Sequence, residues 1–408
     1  MAERGRLTRQ LDRLAGFSCT DPDIQGVTRL PFTPEQEGAA RWLAEQMDRL
    51  GMSPRIDPCG TVAGVLPGKK AEVLLIGSHY DSVPNGGRYD GCAGVIAALE
   101  VVRRLKEAGE RPQYTLMVLA LNDEEGVRLT EGFLSSRAVC GGLTASDRER
   151  IRDRETGRSL GTLLDRSPFR GEMIRLPQNA RAYLEFHVEQ GPVLDEKGLS
   201  AAVVDRIVGV YHHFYCLHGG QNHAGTTPMT SRADPVPAFG HIAARLPDIA
   251  KAYPGSVATI GWMEVQPNVP NVITGSLEFS VDLRSADPEV LEQLRLRTDD
   301  LIRTQAGQAG LSLTHRDSTS APPVVMDRDM RALLERCAVR LGQPPFHMDS
   351  GAGHDAQIFA QKLPAAMLFA RSRSGASHCR EEFTAEEDLD LACSILYEFI
   401  KEDFFYEA

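Results

Sequence analysis

Three runs in this chain, 71-AEVLLIG-77, 114-YTLMVLAL-121 and 364-PAAMLFA-370, are apolar almost without interruption and end in charged or loop-forming residues. A strand that shows one face to water alternates apolar and polar side chains, whereas a strand buried on both faces does not. The runs are therefore expected as inner strands of a sheet covered by helices. The stretch 182-AYLEFHVE-189 alternates more and reads as a further strand. Helical patterns lie around them. Thr33 is placed to cap a helix, with Pro34 in its first turn, Gln36 three residues on to complete a capping box, and Gly51 to end it. A long helix is expected from about Cys92 to Lys106, and a closing one over 384–402. Strands alternating with helices give an α/β fold, a mostly parallel mixed sheet flanked by helices.

At 408 residues the chain exceeds what one hydrophobic core usually supports, so two domains are expected. Residues 209–322 depart from the α/β pattern. Three stretches there, 209-GVYHHFYCLHG-219, 257-VATIGWMEVQP-267 and 276-SLEFSVDLRS-285, have period-two character, and helical patterns occupy 235–250 and 287–307. This reads as an α+β domain inserted between two parts, 1–208 and 323–408, of the larger one, with the turn 321-APP-323 at its exit.

Ligands of open α/β sheets gather beyond the carboxyl ends of the strands. Those ends carry His79, Asp81 and Asp90 in 77-GSHYDSVPNGGRYDG-91, Asn122, Asp123, Glu124 and Glu125 in 121-LNDEEGVRL-129, His187, Glu189 and Gln190 in 185-EFHVEQGP-192, and His378 in 374-SGASHCRE-381. One histidine at one strand end is more simply a satisfied structural residue. Four strand ends that each carry imidazole or carboxylate argue for a divalent cation, of the zinc, manganese or cobalt kind rather than a soft thiolate site. The adjacent Glu124 and Glu125 would repel each other when desolvated, unless one binds a cation and the other handles a proton. The simpler reading is an acidic helix start at the positive end of the dipole.

The formal charge of −11, without a long basic run, argues against nucleic acid as partner. No apolar stretch approaches the roughly 20 residues that span a bilayer, and the start MAERGRLTRQLDRL lacks the apolar core of a secretory signal. Eight scattered cysteines without a C-x-x-C pair fit reduced thiols in a cytoplasmic protein.

These motifs, with 222-NHAGTTPM-229, 268-NVPNVITG-275, 350-SGAGHDA-356 and GASHCREE, carry a resemblance over nearly the whole chain. It resembles the zinc-dependent exopeptidase and amidohydrolase superfamily of aminoacylases and glutamate carboxypeptidases. Within that superfamily it is most similar to the hydantoinase/carbamoylase branch of N-carbamoyl-L-amino-acid hydrolases, allantoate amidohydrolases and β-ureidopropionases. The resemblance implies a metal-dependent exopeptidase-like fold whose inserted domain acts as lid and dimerisation element. It implies two divalent ions per subunit, zinc or manganese, with cobalt or nickel able to serve. His79, Asp90 and His187 would hold one ion, and Asp90, Glu125 and His378 the other, with Asp90 bridging. Asp81 would fix the His79 ring, and Glu124 would be the general base that later passes its proton to the leaving nitrogen. His223, supplied across a homodimer interface, would stabilise the oxyanion. Asn271 and Arg284 would hold the carboxylate of a small-molecule substrate, Gln190 would meet its carbamoyl group, and Gly351 and Ala352 would line its site.

The implied reaction is hydrolysis of the carbamoyl C–N bond of an N-carbamoyl-L-amino acid, with allantoate or ureidopropionate as alternative substrates and an N-acyl-amino acid or dipeptide further off. A member that only binds ligand should have lost Glu124 or a metal ligand, and none is missing. Cys379 and Arg380 follow His378 where the branch commonly has Asn or Ser and then Pro, 370-ARSRSG-375 stands where Pro-Ser is usual, and Thr274 where Pro is common. Arg371, Arg373 and Arg380 either receive a further anionic group of the substrate or form a solvated basic loop.

Overall fold

The apolar run at 71–77 belongs to a longer strand, Lys70–His79, buried continuously from Val73 to His79. It pairs in parallel with Tyr114–Leu121 on one side and Ala180–Val188 on the other, and Ala180–Val188 pairs in parallel with Ala365–Ala370. Neighbours on both edges and helices over the faces keep water away, which is why the sequence does not alternate. The computed structural model describes residues 5–21 and 26–403, and for 317–319 the backbone alone.

Antiparallel strands extend this centre. Val62–Leu66 lies on Tyr114–Leu121, with Arg55–Ile56 beyond it, and Ala201–Ile207 lies on Ala365–Ala370. The sheet is therefore mixed with a parallel middle, the α/β architecture expected. The helix Cys92–Ala108 buries Val95, Ile96, Leu99 and Val102 against Leu116, Val118, Leu184 and Leu368, and the closing helix Glu386–Lys401 adds Leu389, Leu396 and Phe399 to the same core. Each such side chain stabilises the fold by about 1.5–3 kcal/mol relative to exposure.

The helix Pro34–Arg49 begins as expected, with the Thr33 hydroxyl accepting from the Gln36 N–H. The capping box does not form. The Gln36 amide donates to the Tyr80 hydroxyl instead. Both groups are buried, the Tyr80 hydroxyl in turn donates to the Gly60 carbonyl at 2.6 Å, and a buried amide without a partner costs more than a helix-terminal N–H that water can reach. Upstream, Arg6–Ala15 buries Leu7, Leu11 and Leu14; the first four residues of the amphipathic start lie outside the described residues.

The chain divides into two compact units. One is built from the chain up to Asp205, Met326–Met348 and the chain from His354 onward, and the other from Arg206–Val325 with Asp349–Gly353. The second contains an antiparallel sheet in the order Met263–Gln266, Ser276–Ser285, Gly209–His218, Ser312–Ala321, with Val257–Thr259 also on Ser276–Ser285. The helices Pro235–Lys251 and Pro288–Gln308 bring Ile242, Leu246, Leu294 and Ile302 against Leu217, Phe279, Val281 and Leu283. The strand Ser312–Ala321 has no apolar face that its sequence announces, because it is an outer strand of that sheet. Among the described residues no helix is long and apolar enough to cross a membrane.

Candidate metal centre

Parallel register brings strand ends together from distant parts of the chain. His79 pairs with Leu121, and His187 with Phe369. His79 is thus the last residue of its strand rather than a loop residue. The segments that follow, around Asp90, Glu125, Gln190 and His378, leave from one edge of the first unit. They turn sharply: Asp123, Gln190 and His378 all have positive φ, a region non-glycine residues enter only under constraint.

Among the described residues, three sets of ligand atoms lie within 4.8 Å of one another: His79, Asp90 and His187; Asp90, Glu125 and His378; and His79, Glu124 and Glu125. Asp90 is shared by the first two. Its Oδ1 stands 3.2 Å from His187 Nε2 and 3.5 Å from His79 Nε2, and its Oδ2 stands 3.2 Å from His378 Nε2. Glu125 Oε2 is 3.5 Å from the same His378 nitrogen. The Gln190 amide donates to Asp90 Oδ2 at 3.0 Å.

Hydrogen bonds on the far sides of the rings assign their protons. His187 Nδ1 lies 2.8 Å from the Val188 carbonyl, and His79 Nδ1 3.3 Å from the Asp81 carbonyl, so each Nδ1 carries hydrogen and each Nε2 presents a lone pair. The His187 Nε2 lone pair accepts the Gly91 N–H at 3.1 Å, and it shares a buried space with the His79 Nε2 lone pair and with Asp90 Oδ1, which accepts no hydrogen bond among the described residues. Glu125 Oε1 is buried and equally without a partner. Such an arrangement calls for positive charge. Without a cation, protons supply it: burial opposes charge on His79, but the Asp81 and Asp90 carboxylates beside the ring push it well above its usual range, and Asp90 raises His378 to about 9. Asp90 sits well below the usual carboxylate range because His187, His378 and His79 outweigh its burial. Burial and Asp90 lift Glu125 to about 7. Hard or borderline divalent cations fit this donor set of imidazoles and carboxylates.

Asp81 acts more widely than a partner to one ring. Its Oδ1 is 3.6 Å from His79 Nδ1, while its two carboxylate oxygens accept the backbone N–H groups of Glu124 at 3.2 Å and Glu125 at 3.3 Å. It therefore joins the His79 strand end to the glutamate loop. Burial, offset by His79 and reinforced by Glu125, drives the Glu124 carboxyl well above its usual range.

Four residues around the site escaped the sequence reading. Glu382 Oε1 accepts the N–H groups of Tyr89 at 2.8 Å and Asp90 at 3.0 Å. Glu185, a charge inside a buried strand, accepts from the Ser78 hydroxyl at 2.7 Å and the Ala356 N–H at 2.8 Å. Burial and Glu185 raise Asp355 to about 8. The buried His354 ring packs 4.5 Å from that of His187. A carboxylate in the middle of AYLEFHV was the available signal for Glu185. Glu189, by contrast, turns away and caps the helix Val193–Lys197 through Val193 and Leu194 N–H.

The arginines of the His378 loop are already engaged. The Arg371 fork binds Asp388 at 3.0 and 3.3 Å, Arg373 lies 3.8 Å over the Phe383 ring, and Arg380 pairs with Glu381 at 2.7 Å. These local partners favour the basic-loop reading of the three over one in which they receive an anionic substrate group; the buried Asp388 engages Arg371 most fully, while Arg380 and its partner Glu381 are both exposed.

His223, Asn271, Arg284, Gly351 and Ala352 belong to the second unit. The exposed His223 accepts the N–H groups of Gly225 and Thr226 on Nδ1 at 3.0 and 3.2 Å, which leaves its proton on Nε2, free to donate. Val272 opposite it follows Asn271, whose carbonyl accepts from Ala224 N–H at 3.0 Å. Arg284 spends Nε and Nη2 on Asp282 at 2.8 and 3.3 Å and Nη1 on the Gly351 carbonyl at 2.9 Å, so two of its five N–H donors remain. Ala352 closes a local turn through the Ser350 hydroxyl.

A sheet with a parallel centre and two groups of imidazoles and carboxylates that could each hold a metal ion, with Asp90 common to both, fit a hydrolase that works with divalent cations. The chain belongs to peptidase family M20/M25/M40, whose sequence profile matches residues 75–402. It is similar to the N-carbamoyl-L-amino acid amidohydrolase of Geobacillus stearothermophilus, 36% identical over 379 residues that cover 91% of this chain and 92% of that protein. It is as similar to the allantoate amidohydrolase of Bacillus subtilis (strain 168), 36% identical over 405 residues and 98% of each chain. A crystal structure of an amidase of the hydantoinase/carbamoylase family from Burkholderia multivorans superposes with a TM-score of 0.88 at 30% identity, covering 97% of this chain and 96% of that one.

Proposed function

We propose that the chain hydrolyses the ureido group of an N-carbamoyl-L-amino acid, consuming one water and releasing the amino acid, ammonia and carbon dioxide. The observation that carries this reading is the pair of three-residue groups built on Asp90, with Glu124 and Glu125 beside them, in a chain so similar to two ureido-acid hydrolases. Bound to these groups, divalent cations would supply Lewis acidity toward a carbonyl and a water. Zinc or manganese suits the donors, and cobalt or nickel could serve.

The chain's own residues would do the rest. Glu124, whose buried carboxyl holds a proton readily, takes it from the attacking water and hands it to the leaving nitrogen. Gln190 is tied to Asp90 through its amide nitrogen, and its buried Oε1 has no partner among the described residues, which suits an N–H of the carbamoyl group. The two uncommitted N–H donors of Arg284 match a carboxylate, with Asn271, Gly351 and Ala352 near the same substrate. His223, proton on Nε2, would donate to the oxyanion from the partner subunit of a homodimer whose lid is the second unit. The eight free cysteines accord with a cytoplasmic enzyme.

Allantoate combines a carboxylate with ureido groups and is the alternative substrate. The test is ammonia release by metal-reconstituted protein from N-carbamoyl-L-amino acids, allantoate and 3-ureidopropionate, set against amine release from N-acetyl-L-amino acids. Turnover of the acetyl series alone would refute the ureido reading.

A further inference from the structure

Two loops whose contacting residues, Asp90 and Glu382, are 292 apart in sequence meet at one carboxylate. Glu382 is buried, and its Oε1 accepts the backbone N–H of Tyr89 and of Asp90 at 2.8 and 3.0 Å. Its Oε2 accepts the Ser377 hydroxyl at 3.3 Å, one residue before His378. The approach is so close that a Cβ on Gly87 would lie 2.1 Å from Glu382 Oε1. Gly87 in NGGRYDG is therefore the bare position that admits this side chain.

The two candidate ion groups depend on this knot unequally. His79 and His187 end or nearly end buried strands, and each is 1% exposed. Their positions follow from the sheet. His378 sits on a loop at φ 55 with 51% of its side chain exposed, and no strand holds it. Glu382 ties its loop to the backbone of the shared aspartate, beside Gln190, whose amide nitrogen lies 3.0 Å from Asp90 Oδ2 and 3.5 Å from His378 Nε2.

We propose that Glu382 is a positioning residue that sets the bridging Asp90 against His378, and that it governs ion retention at the Asp90–Glu125–His378 group while sparing the His79–Asp90–His187 group. The proposal rests on reading the two groups as cation sites. Two contacts keep the loop folded without it: Phe383 meets the Tyr89 ring edge-on at 5.9 Å, and Arg371 binds Asp388 at 3.0 Å. Glu382→Ala should therefore remain folded. Glu382→Gln keeps a carbonyl oxygen for the two N–H groups and an amide that can pair with the Ser377 hydroxyl.

The experiment is direct titration of the metal-free full-length chain with Zn²⁺ and Co²⁺, read by equilibrium metal content and by the visible spectrum of the cobalt form, alongside circular dichroism. Wild type should bind two ions. In Glu382→Ala the weaker site should lose roughly 10- to 100-fold in affinity, the range seen when residues that orient metal ligands are removed. The tighter site should stay within about threefold on the same reasoning, and Glu382→Gln should restore most of the loss. Equal weakening of both sites, two unaltered sites in Glu382→Ala, or a Glu382→Gln as defective as Glu382→Ala would each overturn the proposal. A wild-type chain that binds no ion would instead overturn the reading of the groups as cation sites.

Discussion

Gly91→Ala is the sharpest test of the site's geometry. Gly91 has φ 60 and ψ −48, and the Cys92 N–H reaches back to the Asp90 carbonyl at 2.5 Å. That is a γ-turn of the strained hand, which a residue with a side chain adopts at a cost of about 1–3 kcal/mol. Space is the second obstacle. A Cβ there would stand 2.4 Å from the Cε1 and Nε2 atoms of the His79 ring. Ordinary contact needs about 1 Å more, so the ring must retreat from Asp90 and His187 by that much. A 1 Å misplacement in a catalytic site costs on the order of 100-fold, about 2.7 kcal/mol.

The control is Gly109→Ala. Gly109 also has positive φ, 67, but a Cβ there meets nothing within 4 Å. It should lose only the backbone term, roughly 1–2 kcal/mol or a few degrees of melting temperature, with wild-type metal content and turnover. Gly91→Ala should lose comparable stability and, in addition, most metal affinity and about 100-fold in turnover. Thermal denaturation, metal analysis and ammonia release on both variants decide it. If Gly91→Ala binds metal and turns over like Gly109→Ala, the placement of His79 against that loop is wrong.

Glu124→Gln should keep both ions and lose roughly 10²- to 10⁴-fold in turnover, as expected when a proton-transfer group is removed; retained turnover would move the base elsewhere. Exhaustive chelation should abolish turnover and re-addition of a divalent cation restore it, measured by ammonia release. Burial and Glu185 raise Asp355 from 3.8 to about 8, so the folded state holds a proton that the unfolded chain releases. Stability of the metal-free protein from this group is intact below about 4 and falls as pH rises toward 8. Asp355→Asn should flatten that fall in melting temperature between pH 5 and 8; an unchanged slope would place the effect in other groups.

Much of this was legible because burial writes itself into composition. The runs around Leu75, Val118 and Leu368 could only be strands covered on both faces, and parallel strands put their ends together, so His79, Glu125, His187 and His378 could be grouped before any contact was known. Strands toward the sheet edges left weaker marks. Ser312–Ala321 is an outer strand of its sheet, and Val62–Leu66 has only the two-residue Arg55–Ile56 beyond it. Gln36 misled because its capping-box spacing was satisfied while its amide answered to Tyr80, 44 residues away. Glu382 was hidden for a related reason: it grips backbone, and backbone N–H groups carry no sequence signature. The arginines near His378 looked available because their partners, Asp388 and the Phe383 ring, declare nothing about contact in one dimension.

The strand Ala365–Ala370 lies between Ala180–Val188 and Ala201–Ile207 and pairs with both. During synthesis those two flanks emerge long before the strand that fills the gap. Until Ala370 leaves the ribosome, each presents an unpaired row of amides and carbonyls, the template on which foreign strands add. Nascent chains interrupted before Pro364 should accordingly seek chaperones or precipitate, whatever their catalytic residues.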